Sequence, residues 1–168
     1  SLKSKDFIKK FTDEKFNGES KVLALDIKRN EVDFFYKVGN KPISYAGFDV
    51  FIQDSIKKII SNYNTIKLEF KTTNIVSFNL SARTFEKGIT RKEEVDTYRY
   101  NSVSIPGSEF LKVESVCFDN FTTKDWWIKD WLTDVVSLGE TDWTELEWLS
   151  ITHEIVGNRD DPATVTLK

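Results

Sequence analysis

The chain has 168 residues, 39% of them hydrophobic and 30% charged, with 13 Phe, 5 Tyr and 5 Trp. This length predicts one domain spanning residues 1–168, able to bury roughly two thirds of its unfolded surface. The net charge of −3 argues against general nucleic-acid binding, the lone Cys117 rules out an internal disulfide and the usual cysteine-based zinc site, and no stretch reaches the ~18 apolar residues of a membrane span.

Phe7, Ile8 and Phe11 fall on one stripe among five lysines, which predicts an amphipathic helix over 2–16, stopped by Asn17-Gly18. Residues 21–28 and 32–38 read as a hairpin turning at Arg29-Asn30. Phe48, Phe51, Ile52, Ile56, Ile59, Ile60 and Tyr63 keep helical spacing and predict a second helix over 48–63. Residues 65–71 and 74–85 read as another hairpin around Thr72-Thr73. In its second strand Ser77, Asn79 and Ser81 alternate with Phe78, Leu80 and Ala82, the pattern of a sheet with one wet face.

A charged loop over 86–96 separates this hairpin from strands at 97–105 and 110–121. Trp127, Trp131, Val135 and Leu138 then recur at helical intervals. They predict a third helix over 123–138, capped by Thr123 and ended by Gly139. Residues 145–156 and 163–167 read as the last strands, with Cys117 and most tryptophans inside. The expectation is an α+β domain, mainly antiparallel sheet with about three helices. Without disulfides or an apolar leader, the expected compartment is cytoplasmic.

Signals for chemistry are sparse. There is no glycine-rich phosphate loop and no Gly-x-Ser-x-Gly elbow, and His153 is the only histidine. No cofactor or bound metal is expected. Asp49 lies twenty residues before Glu69, and Glu69-Phe70-Lys71 sits in an expected strand. This arrangement resembles the core of the PD-(D/E)xK nuclease group over about 23 residues. The resemblance implies that two carboxylates hold a divalent metal while the lysine stabilises developing charge. Glu69 and Lys71 also fit the wet face of their strand, and Asp49 falls at the start of the expected helix.

Charge is divided unevenly. Residues 108–168 carry 13 acidic and 5 basic side chains, a net of −8, and contain all five tryptophans. Asp119, Asp125, Asp130, Asp134, Glu140, Asp142, Glu145 and Glu147 form the densest run, with Trp126 among them. Adjacent Trp126 and Trp127 do not both fit one inward helix face. An acidic face with an exposed ring would steer and anchor a basic protein. The favoured expectation is therefore a non-enzymatic module that neutralises a basic partner, as an immunity protein does a bacterial nuclease toxin. The alternative is a carbohydrate-binding module, because sugar sites combine Trp faces with acidic and amide side chains. The second alternative is the metal-dependent nuclease.

Overall fold

Strand alternation dominates the chain. In the computed structural model, which describes residues 7–90, 97–132 and 138–168, eleven strands and two short α-helices are present. They are β1 (Ile8–Thr12), β2 (Lys21–Ile27), β3 (Val32–Lys37), β4 (Ala46–Phe51), α1 (Asp54–Ile60), β5 (Thr65–Thr73), β6 (Ile75–Thr84), β7 (Arg99–Pro106), β8 (Lys112–Cys117), β9 (Thr122–Thr123), α2 (Asp125–Trp131), β10 (Leu146–Val156) and β11 (Ala163–Leu167). The first sheet has the order β1-β4-β10-β6-β7-β9 and the second β2-β3-β11-β5-β8. Every pairing is antiparallel.

The inward set of each strand builds the core. Phe34 of β3 meets Phe48 of β4 edge-on at 5.3 Å, and Phe70 of β5 meets Phe78 of β6 at 5.1 Å. Both pairs cross from one sheet to the other, and all four rings are essentially inaccessible to solvent. Burying each such ring contributes about 1.5–3 kcal/mol, so these contacts hold the two layers face to face.

This is a β-sandwich, which corrects the α+β expectation with three helices. Residues 8–12 pair with β4 instead of forming a helix, and only one turn of 3-10 helix, Asp13–Phe16, follows. Packing of Phe11 across β4 outweighs the helical stripe; residues 1–6 of that expected helix lie outside the described residues. The expected 48–63 helix is a strand followed by a helix. Ala46, Phe48, Val50 and Ile52 alternate toward the core, and the helix adds Ile60. The two apolar sets join in phase, so together they imitate one long helical stripe.

The third helix shrinks to Asp125–Trp131, preceded by β9 and begun by Lys124 instead of Thr123; its expected continuation over 133–137 lies outside the described residues. Residues 65–85 are not a hairpin either. β5 belongs to the second sheet and β6 to the first, and the chain switches layers at Asn74, whose φ is +58°. The Asn74 amide donates to the Asn158 and Asp161 carbonyls and accepts from Asn158 N–H, tying this switch to the turn before β11. Cys117, expected inside, is half-buried at the end of β8.

Candidate functional site

The outward set of the first sheet consists of polar and aromatic residues. Antiparallel register aligns them into rows running across the strands. One row is Asp49, Ser150, Ser81 and Ser102; beside it run Phe51, Trp148, Arg83 and Tyr100, and then Gly47, Thr152, Asn79 and Ser104. A register shift between Leu146 and Trp148 lets Leu146 and Leu149 both reach the core while Trp148 turns outward. Asp49, Asn79, Arg83, Tyr100, Trp148, Ser150 and Thr152 of these rows line an open cleft of about 1980 Å³. Pockets for small molecules are ~300–1,000 Å³, so this one suits a longer ligand.

Aromatic rings define one wall. Tyr100 and Trp126 lie 5.2 Å apart between centroids, and the Arg83 guanidinium sits 4.4 Å from the Tyr100 ring and 5.9 Å from that of Trp126. Trp148 stacks between Phe51 and Tyr98, at 5.7 and 5.2 Å. Helix α2 supplies Trp126, which is 44% exposed, and Trp131, while the neighbouring Trp127 is 0% exposed and pins the helix. At the other end Phe11, Tyr45, Phe16 and Ile43 line the cleft. Phe11 lies flat over β4 because residue 47 is glycine. A Cβ there would stand 2.6 Å from the Phe11 ring and 2.4 Å from the Ile151 carbonyl oxygen.

Polar groups on the floor are held in place. Ser150 Oγ donates to Asp49 Oδ1 at 2.5 Å, and Ser81 Oγ and the Tyr100 hydroxyl share a hydrogen bond of 2.7 Å. Asp49 is pushed above the usual carboxylate range by burial, which outweighs the Ser150 hydrogen bond and the charges of Arg83 and Lys9. Burial likewise raises the Tyr100 hydroxyl. His153 Nδ1 accepts the Ala46 N–H at 3.0 Å, and burial holds the imidazole below its ordinary pKa, so it is neutral. Asn79 Oδ1 and Ser102 Oγ are buried on this face and have no hydrogen-bond partner among the described residues. Such atoms carry a desolvation cost unless another molecule bonds them.

The residues expected from sequence divide around this cleft. Trp126 and Asp130 line it. Asp119 lies in the turn Phe118–Asn120, Asp125 opens α2, and Glu140 lies in the chain returning from α2. Asp142 and Glu145 flank another turn, where Asp142 accepts from Thr144. Glu147 forms an ion pair with Lys57 at 2.7 Å, and Asp134 lies outside the described residues. The described members of the acidic run are thus spread over several elements, and one of them, Glu147, is paired with a lysine.

The nuclease arrangement fails on topology. Asp49 is on the outer face of the first sheet, whereas Glu69 and Lys71 are on the outer face of the second, on opposite sides of the sandwich. Among the described residues no group of three His, Cys, Asp or Glu side chains is placed to hold a metal ion. Sequence reading recorded Asn79 and Ser81 only as a wet face and passed over Arg83, Tyr100, Trp148 and Ser150. They are more than a dozen residues apart along the chain in places, and only strand register brings them together.

No protein-family model matches the sequence, and no curated protein matches it. The fold, however, is similar to solved family 11 carbohydrate-binding modules from Clostridium thermocellum. The module of cellulosomal cellulase Lic26A-Cel5E is 15% identical with a TM-score of 0.59, covering 96% of this chain and 86% of that one. A family 11 module solved in complex with a β-1,3-1,4-mixed-linked tetrasaccharide is 14% identical with a TM-score of 0.61, covering 95% and 87%. The solution structure of CtCBM11 is 12% identical with a TM-score of 0.65, again covering 95% and 87%. This likeness overturns the expectation of an immunity protein with a basic toxin as partner, and the chain has the β-sandwich fold of family 11 carbohydrate-binding modules.

Proposed function

We propose that this chain is a non-catalytic carbohydrate-binding module that holds an extended β-linked glucan segment across the outer face of its first sheet. The observation that carries this reading is the pairing of aromatic rings with polar side chains on one open face. Pyranose rings present apolar C–H faces and a rim of hydroxyls. Trp126, Tyr100 and Trp148 match the faces; Asp49, Asn79 and Arg83 match the rim. Six strands span five inter-strand steps, roughly 24 Å, a length for several sugar units. The fold's likeness to a module solved with a mixed-linked tetrasaccharide supports the same ligand class.

Isothermal titration with soluble mixed-linked β-1,3-1,4-glucan, and with β-1,4- and β-1,3-glucan oligosaccharides, tests the proposal. Binding by the parent and its loss in Trp126→Ala support it. No binding to any of the three, or equal binding by Trp126→Ala, overturns it.

A further inference from the structure

Arg99 begins β7 on the opposite face of the sheet from Tyr100, and it is only 4% exposed. Its guanidinium makes four hydrogen bonds. Nη1 donates to Glu86 Oε2 at 3.1 Å and to the Glu140 carbonyl at 3.2 Å; Nη2 donates to the Gly139 carbonyl at 2.9 Å; Nε donates to Thr123 Oγ1 at 3.0 Å. Thr123 Oγ1 passes its own proton to Asn101 Oδ1 at 2.6 Å, and the second Glu86 oxygen accepts from Thr84 at 2.7 Å. Thr123 is where the chain leaves the sheet for α2, and Gly139–Glu140 is where it comes back. Both ends of the excursion that carries Trp126 therefore converge on one buried cation.

A buried ion pair adds little net stability, because desolvation offsets most of the attraction. The main consequence of this network is geometric. A planar fork with five donors can meet two carbonyls, a hydroxyl and a carboxylate at once, and a lysine ammonium cannot. We propose that Arg99 is a positioning residue for the cleft: it sets the placement of α2, and hence of the Trp126 ring against Tyr100, without touching the ligand. The effect on affinity rests on the glucan-binding reading above; the effect on Trp126 does not.

The test uses the full chain labelled with 5-fluorotryptophan, the Trp126 resonance being assigned by its disappearance in Trp126→Phe. Arg99→Lys keeps the charge beside Glu86 and loses the fork. It is expected to shift or broaden the Trp126 fluorine signal and to weaken binding of the mixed-linked tetrasaccharide about tenfold, the worth of one charge-assisted hydrogen bond. In a Trp126→Ala background the same substitution is expected to change affinity less than about twofold, because the ring it positions is gone. Thr123→Val, which removes the Nε partner together with the hydrogen bond to Asn101 and leaves the other three Arg99 contacts in place, should show the same signature more weakly, and it decides the matter if Arg99→Lys does not fold. An unchanged Trp126 signal in the folded variants overturns the proposal. So does an affinity loss that is equal with and without Trp126. If the parent binds no tetrasaccharide, the glucan reading fails, and the fluorine comparison alone decides the role of Arg99.

Discussion

The sandwich has two polar outer faces, and they differ in how their polar groups are satisfied. On the second sheet the charges neutralise one another near the surface. Lys28 contacts Glu31 at 2.9 Å and Asp33 at 2.7 Å, Thr166 donates to Asp33, and Lys112 contacts Glu114 at 2.8 Å. On the first sheet, Asp49 and Tyr100 are largely withdrawn from water, and Asn79 and Ser102 each keep a buried atom with no hydrogen-bond partner among the described residues. Strand alternation alone makes the two faces look equivalent. Depth and incomplete pairing set the first face apart from the second, and the proposed binding role rests on that difference.

Substitutions should separate the faces. The largest expected effect is Trp126→Ala, with affinity for mixed-linked glucan falling about 30-fold, the cost of losing an interface anchor of about 2 kcal/mol, and little change in thermal unfolding. Calorimetric titration alongside a melting curve checks both halves. Asn79→Ala should weaken binding roughly 3- to 10-fold, the range for one neutral hydrogen bond. At the opposite face, Glu69→Ala and Lys71→Ala should leave affinity unchanged and shift stability by no more than about 0.5 kcal/mol. A comparable loss of binding from either of those would put the ligand on the wrong sheet.

Protonation gives a subtler contrast. The folded-state pKa of Asp49 lies above its unfolded value, so the folded chain holds the extra proton between the two. Stability therefore declines as pH rises through that window, and Asp49→Asn should abolish the decline and raise the melting temperature at neutral pH. The same variant should bind glucan more weakly, as expected where stability has been given up for a site. His153 works in the other direction. Its folded pKa is depressed below the ordinary 6.5, so the folded chain binds fewer protons and stability is lost as pH falls from there toward the folded value. Protonating Nδ1 would also sever its bond from Ala46. Unfolding followed from pH 7 to 5 in parent and His153→Gln should show the parent losing more.

Much of the strand content is legible in the sequence, because period-two alternation at β2, β3, β6, β7 and β11 survives without tertiary context. The errors arise where two short elements share a phase, as at β4 and α1, or where a stripe of three apolar residues fits helix and strand alike, as at β1. Layer assignment is harder. Nothing local distinguishes a tight hairpin at Thr72–Asn74 from a passage between sheets, which depends on the Asn74 contacts to residues 158 and 161. The cleft is illegible for the same reason. Arg83, Tyr100 and Trp148 become neighbours only through the register of β10 with β6 and of β6 with β7. Charge counting drew attention to the acids of residues 119–147 and to Trp126; of the described residues in that set, Trp126 and Asp130 line the cleft.

The strand order carries a consequence for biosynthesis. β10 fills the gap between β4 and β6, and β11 fills the gap between β3 and β5, so the two strands of this sandwich that are synthesised last occupy interior positions in both layers. Neither layer closes before they arrive, and loop-closure entropy delays such distant pairings further. The nascent chain consequently waits with unpaired strand edges on both sides of each gap, the state in which β-proteins are most exposed to aggregation and most dependent on chaperones.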